Sequence, residues 1–225
     1  MSITGSKTAI IGVGYSSLTR NPSQSLAIDT LQAATNAIAD AGLNSADIDG
    51  LSSAVNTSVA MQAADGVNFV TPTYLSKLLK LPELAWSHRE PELVSHALIA
   101  AINALSAGAC QYVLVWQALT FPKGTRYSQD SAPYATGTSQ FLYPYGHTGH
   151  GPAGAAASFH RYMDRYGATR EDLGTFVINN RQNALLNEHG YWNSQRPKRL
   201  TIDNYLSSRM IADPLCILDC DIPIH

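Results

Sequence analysis

The sequence predicts an α/β fold, a mainly parallel mixed sheet covered by helices on both faces. Three observations carry this reading. Short apolar runs end in glycine, as in Thr8-Ala9-Ile10-Ile11-Gly12-Val13-Gly14, and look like buried strands that turn sharply. Between such runs stand longer segments with apolar residues at helical spacing. The links between them are short, and strands that alternate with helices across short links favour parallel pairing in one sheet.

Residues 8–14 read as the first strand. Residues 24–41 carry Leu26, Leu31, Ala34, Ile38 and Ala41 at helical spacing, and Gly42 offers the left-handed residue that ends a helix. Asn44 or Ser45 starts a brief turn, and residues 51–55 form the second strand. Residues 56–90 yield only a short helical patch, 74–79, stopped by Pro82. Residues 93–105 form the strongest helix. Its apolar side chains run all round, which predicts burial on several sides. Residues 110–119 are the third strand.

Residues 121–154 form a long excursion rich in Gly, Pro, Tyr and Ser. Loops of that length inside a compact domain are functional or disordered, and Tyr127, Tyr134, Phe141, Tyr143 and Tyr145 favour order. Residues 153–166 form a helix ending at Gly167. Thr169 caps the next helix with Asp172 as its capping-box partner, and that helix continues through Phe176, Val177 and Ala184. Residues 200–206 open a short helix, and 214–218 read as extended. The whole of 1–225 is read as one domain carrying the 121–154 excursion.

Composition narrows the function classes. The 225 residues are 45% hydrophobic and 14% charged, an ordinary globular balance with little surface charge to spare. The 15 basic and 17 acidic residues give a net charge of −2. No basic stretch follows a nucleic-acid backbone, and no apolar run reaches membrane-spanning length. Arg196, Lys198 and Arg199 form a small cluster that fits a solvated face or a phosphate contact. Cys110, Cys216 and Cys220 lack disulfide or zinc spacing and fit a reducing cytoplasm.

Four segments together resemble the N-terminal half of the thiolase superfamily, in its sterol-carrier-protein-thiolase or lipid-transfer-protein branch. They are AIIGVGYSS with LAIDTLQAATNAIADAGL and DIDGLSS; the alanine-rich helix that leads into GACQYVLV; FHRYMDRYGATREDLGTFVINNRQNALLNEHG; and YLSSRMIADPLCILDCDIP. The resemblance implies an acyl-CoA substrate and carbon–carbon bond chemistry in lipid, sterol or aromatic-acid degradation. It also implies a homodimer and a separate OB-fold/zinc-ribbon partner of the DUF35 type.

Two departures from the family matter. Its acyl-accepting cysteine would fall near Pro91, where the turn reads Glu90-Pro91-Glu92, and no cysteine lies between Met1 and Ala109. Without a thiolate the standard thioester route is closed, which favours retro-aldol cleavage of a β-hydroxyacyl-CoA over thiolysis. The family's second half, which supplies a histidine and another cysteine, is expected to be absent. At Ile224-His225 the family continues with a glycine, small residues and a further core strand, so the sheet is expected to lack a strand. The sequence then reads as a fragment or as a chain completed by another polypeptide. Two other outcomes stay open: a non-catalytic scaffold that binds acyl-CoA, lipid or a partner, and an acetyl-CoA acyltransferase with its nucleophile supplied elsewhere.

The candidate catalytic residues are Tyr143, Tyr145, His147 and His150, in the run Tyr143-Pro144-Tyr145-Gly146-His147-Thr148-Gly149-His150-Gly151. Tyrosine or histidine supplies a base, and backbone N–H groups beside Gly146, Gly149 or Gly151 supply donors for an enolate. The tyrosines that relatives are thought to use belong to the second half and have no match in Tyr143 or Tyr145. The plain alternative is an ordered loop whose histidines bond to backbone carbonyls. No third ligand accompanies the two histidines, so no metal is expected.

Elsewhere, His88-Arg89-Glu90 and Ser95-His96 read as a polar helix entrance, because adjacent helical side chains diverge. Glu90 and Glu92 suit the positive end of that helix. Gly12-x-Gly14 lacks the third glycine of a dinucleotide fingerprint. Cys220 reads as a buried structural thiol.

Overall fold

The structure is a computed structural model, and it describes residues 8–18, 24–55, 64–91, 93–120, 140–141 and 152–220. The chain divides into two compact units between Phe121 and Pro122.

The first unit is built on α1 (Leu26–Asp40), β1 (Gly50–Ala54), α2 (Pro72–Leu79), β2 (Trp86–Glu90), α3 (Val94–Ser106) and β3 (Val113–Gln117). Its sheet has the order β2-β1-β3, all parallel, with Ser52 level with His88 and Val115. All five residues of β1 are buried, as expected of a central strand covered on both faces. On one face Leu51, Leu114 and Trp116 pack with Leu26, Ala34 and Ile38 of α1 and with Leu75 and Leu79 of α2. Alternation turns Ser52 to the other face, where its hydroxyl donates to the carbonyl of Ala97 in α3. Helices therefore cover both faces of a parallel sheet, as the sequence predicts.

The strands are tied together at their amino ends. Asp49 accepts bonds from the N–H groups of Gln111 (2.9 Å) and Tyr112 (2.8 Å). Its own carbonyl takes Ala85 N–H at 2.9 Å. One carboxylate and one peptide group thereby join the entries of β1, β2 and β3.

Three expectations for the first unit need correction. Residues 8–14 form no ladder. Val13 N–H donates to Asp40 (2.9 Å), and Asn36 donates to the Tyr15 carbonyl (3.0 Å), so the run lies along α1. Gly12 and Gly14 come so close that a Cβ would stand 2.4 Å from the Ala37 carbonyl oxygen and 2.1 Å from that of Ala33. Ile10 is 74% exposed, and Ile11, Val13 and Tyr15 are exposed with it. Apolar residues predict burial, but these side chains stay exposed.

The second correction is β2, read from sequence as part of a difficult region. Its polar residues hide the strand, whose side chains alternate between half-buried and exposed. The third concerns α3, whose buried residues are Ala97, Ala101 and Ala104. Leu93, Val94 and Ile99 are exposed, so the helix is buried on the sheet side alone.

The second unit contains α4 (Pro152–Tyr166), α5 (Arg170–Leu186), α6 (Tyr191–Ser194), α7 (Ile202–Leu206) and an antiparallel pair, β4 (Met210–Ala212) with β5 (Leu215–Cys216). α4 is followed by Gly167 at φ +67°, and Thr169 and Asp172 form the expected capping box of α5. Ile217 N–H still donates to the Arg209 carbonyl at 2.8 Å, but residues 217–219 form a turn, so the extended run expected over 214–218 is a strand only at Leu215–Cys216.

Tyr205 is the hub of this unit and is fully buried. Its hydroxyl donates to Asp219 at 2.8 Å, and the other oxygen of Asp219 accepts Cys216 N–H. The guanidinium of Arg170 stands 5.6 Å from the Tyr205 ring centre. The ring also fills the space beside Gly174, where a Cβ would lie 2.6 Å from a ring carbon.

Gly174→Ala tests that approach. Alanine favours the helix by about 1 kcal/mol, but overpacking costs about 1–3 kcal/mol, so the variant is expected to unfold at lower denaturant concentration than wild type. Burial and the bond to Asp219 push the Tyr205 phenol above the usual tyrosine range. The protonated form is favoured in the fold, so the stability it contributes is present below the unfolded value of about 10 and is lost as pH rises beyond it. Alkaline titration followed by phenolate absorbance should show one tyrosine ionising only as the unit unfolds, and Tyr205→Phe should remove that step.

Candidate active site at the carboxyl ends of the strands

Ligands of open α/β sheets gather outside the carboxyl ends of the strands. Here those ends are Ala54, Glu90 and Gln117, and α3 begins just after β2. The register places Ala54 beside both Glu90 and Gln117. Val55 N–H donates to the Glu90 carbonyl at 2.7 Å, which extends the β1–β2 pairing past the last ladder residues. Pro91 disfavours helical backbone at Glu90, which helps keep that residue in β2. The chain then turns, and α3 starts after Leu93 with no side-chain cap. The positive end of α3 therefore faces the mouth of the sheet.

Two histidines anchor this region. Ser52 Oγ lies 3.3 Å from His88 Nδ1 and 2.9 Å from the Ala97 carbonyl. A hydroxyl has one proton, and Ser52 gives it to Ala97, so His88 must donate from Nδ1. His88 stacks on Trp86, with centroids 5.8 Å apart and planes 8° from parallel. Nearer the mouth, His96 Nδ1 lies 3.5 Å from Glu90 Oε1. The Glu90 side chain is 17% exposed and that of His96 56%. Arg89, on the opposite face of β2, places its guanidinium 5.4 Å from the ring centre of Phe69.

Sequence reasoning names Glu90 and His96 only as parts of a polar helix entrance. The structure adds their pairing, and the signal lies in Trp86-Ser87-His88-Arg89-Glu90 followed by proline: alternate residues of a strand whose carboxyl end feeds a helix. Tyr143, Tyr145, His147, His150 and Glu92 lie outside the described residues. Ser95 and His96 are adjacent on α3, with no bond recorded between their side chains.

Within the first unit no cysteine stands at the mouth of α3. Cys110 is buried at the opposite, amino end of the sheet, where a Cβ on Gly50 would lie 3.1 Å from its sulfur. Burial, and then Asp49, push its thiol pKa up and keep it protonated. Cys216 and Cys220 belong to the second unit, with Cys216 buried. Among the described residues no three His, Cys, Asp or Glu side chains gather as a metal site, and no helix is long and apolar enough to cross a membrane.

No family model matches the chain. It is 30% identical to the 17-hydroxy-3-oxo-4-pregnene-20-carboxyl-CoA lyase of Mycobacterium tuberculosis, over 95% of this chain and 54% of that protein. It is also 30% identical to a steroid side-chain-cleaving aldolase of Thermomonospora curvata, over 98% of this chain and 55% of the relative. Among solved structures it matches an Ltp2–ChsH2(DUF35) aldolase with a TM-score of 0.72 and 26% identity, over 96% of this chain and 52% of that one. The chain therefore spans about half the length of the relatives it matches. Its homologues are steroid side-chain-cleaving aldolases and lyases, and the resemblance to the thiolase-like, lipid-transfer-protein branch holds in both sequence and fold.

Proposed function

We propose that this chain is part of a carbon–carbon lyase that cleaves a β-hydroxyacyl-CoA by a retro-aldol reaction, with a steroid side chain as the substrate class. The alignment with the M. tuberculosis lyase, 30% identity over 224 residues, carries the reading. The absence of a cysteine at the mouth of α3 supports cleavage without an acyl-enzyme.

The reaction sets clear demands. A base removes the β-hydroxyl proton, and the oxygen's electrons form a carbonyl. The Cα–Cβ bond breaks, its electron pair enters the thioester as an enolate, and protonation at Cα releases a shortened acyl-CoA and a ketone. Donors aimed at the thioester oxygen lower the barrier. The proposal includes Tyr143, Tyr145, His147 and His150 as candidate groups for these steps, and coenzyme A as the carrier of the substrate.

The solved neighbour's name pairs it with a DUF35 protein, which supports a DUF35-type partner for this chain. A homodimer is also part of the proposal. The edge of β2, which pairs with no further strand among the described residues, and the apolar side chains that α3 exposes support further association. The exposed Ile10, Ile11, Val13 and Tyr15 support additional chain packed against residues 8–15.

The absent cysteine equally fits a binding scaffold, and the same experiment separates the two readings. The protein is incubated with 17-hydroxy-3-oxo-4-pregnene-20-carboxyl-CoA, alone and with a DUF35-type subunit, and products are followed by mass spectrometry. Ketone and shortened acyl-CoA are expected once the assembly is complete. Tight binding with no product in either arm would establish the scaffold. His147→Ala with His150→Ala should lower turnover by about 100-fold or more if either acts as the base, whereas unchanged turnover removes both from the mechanism.

A further inference from the structure

We propose that the side-on edge of Arg170 is an oxyanion site in the second unit, shaped for one carboxylate. Arg170 is the first residue of α5 and holds its guanidinium 5.6 Å from the ring centre of Tyr205. Its Nε and Nη2 are both buried, and neither has a hydrogen-bond partner among the described residues. The N–H groups of these two nitrogens lie side by side along one edge of the guanidinium, the fork that a carboxylate accepts with two parallel bonds. An enclosed donor without a partner is costly, and a guanidinium cannot escape that cost by losing its proton. The Tyr205 ring attracts the charge, yet the two N–H groups still lack an acceptor.

The neighbouring carboxylates are already engaged. Asp219 accepts the Tyr205 hydroxyl at 2.8 Å on one oxygen and Cys216 N–H at 2.6 Å on the other. Asp172, in the first turn of α5, is held in the capping box with Thr169. Ser208 donates its N–H to the Tyr205 carbonyl at 3.1 Å, and its hydroxyl is also buried without a partner. Among the described residues of the second unit, the buried unpaired side-chain atoms are thus Arg170 Nε, Arg170 Nη2 and Ser208 Oγ. All three can donate, so what this hub lacks is an acceptor with negative charge. The positive end of α5, where Arg170 stands, favours the same charge.

Enclosure has two consequences. The edge must open to admit the oxyanion, and a pair formed there is little screened by salt. The carboxylate comes either from a small molecule or from an aspartate or glutamate of the DUF35-type partner, and the chemistry of recognition is the same for both.

The test follows the Arg170 Nε–H resonance of the full chain by ¹H–¹⁵N spectroscopy, assigned by its loss in Arg170→Lys, together with the thermal midpoint at constant, high ionic strength. Sodium acetate is titrated against sodium chloride, and a DUF35-type subunit is added in a separate arm without acetate. Acetate should move the resonance and raise Tm by about 2 °C or more near saturation, and chloride should do neither. A response to acetate assigns the site to a small carboxylate, and a response to the subunit alone assigns it to a side chain of that partner. Arg170→Lys keeps the charge but not the fork and should lose most of the gain in Tm. Arg170→Met should respond to neither probe and, with no unpaired charge to enclose, should melt no lower than wild type in chloride. A resonance that neither acetate nor the subunit moves overturns the site. An Arg170→Met variant that melts several degrees below wild type in chloride overturns it too, because the guanidinium is then already satisfied within its own chain.

Discussion

The hydroxyl of Ser52 is the interaction on which the first unit's site depends. β1 is buried along its whole length, and a polar side chain there is costly unless it is bonded. Ser52 meets that demand by donating to the Ala97 carbonyl and accepting from His88. The bond to α3 sets how the helix lies on the sheet. The bond from His88 fixes a ring on β2. The relative placement of the end of β2 and the start of α3 follows from one side chain that touches both elements. Small residues at Ala97, Ala101 and Ala104 permit the close approach.

Much of this architecture was legible in the sequence because it rests on local rules. The apolar spacing of α1 and its stop at Gly42, the Thr169–Asp172 capping box and the stop at Gly167 are decided within a few residues. The strands β1 and β3 announce themselves as short apolar runs. β2 does not, because its residues are Trp, Ser, His, Arg and Glu, and its strand character comes from pairing with β1 across more than thirty intervening residues. Residues 8–14 err in the other direction, since their apolar character predicts a ladder that the described residues do not supply.

The site divides in the same way. That the α3 entrance lacks a cysteine is visible from Glu90-Pro91-Glu92 alone. That Glu90 meets His96 is not, because their contact depends on how a strand end and a helix start are brought together by Ser52 and the parallel register. The His88 tautomer is further out of reach, since it follows from a single proton already committed to Ala97.

The two ends of the sheet differ in a way that bears on how such a fold changes over time. At the amino ends Asp49 bolts three strand entries together through backbone groups, so nearly any replacement there disturbs the foundation. The opposite rim is held by a buried serine one layer below the surface, and the residues that would meet a substrate are not the ones that secure the strands. A lineage can therefore discard a reactive sulfur at that rim and try other side chains without dismantling what lies beneath.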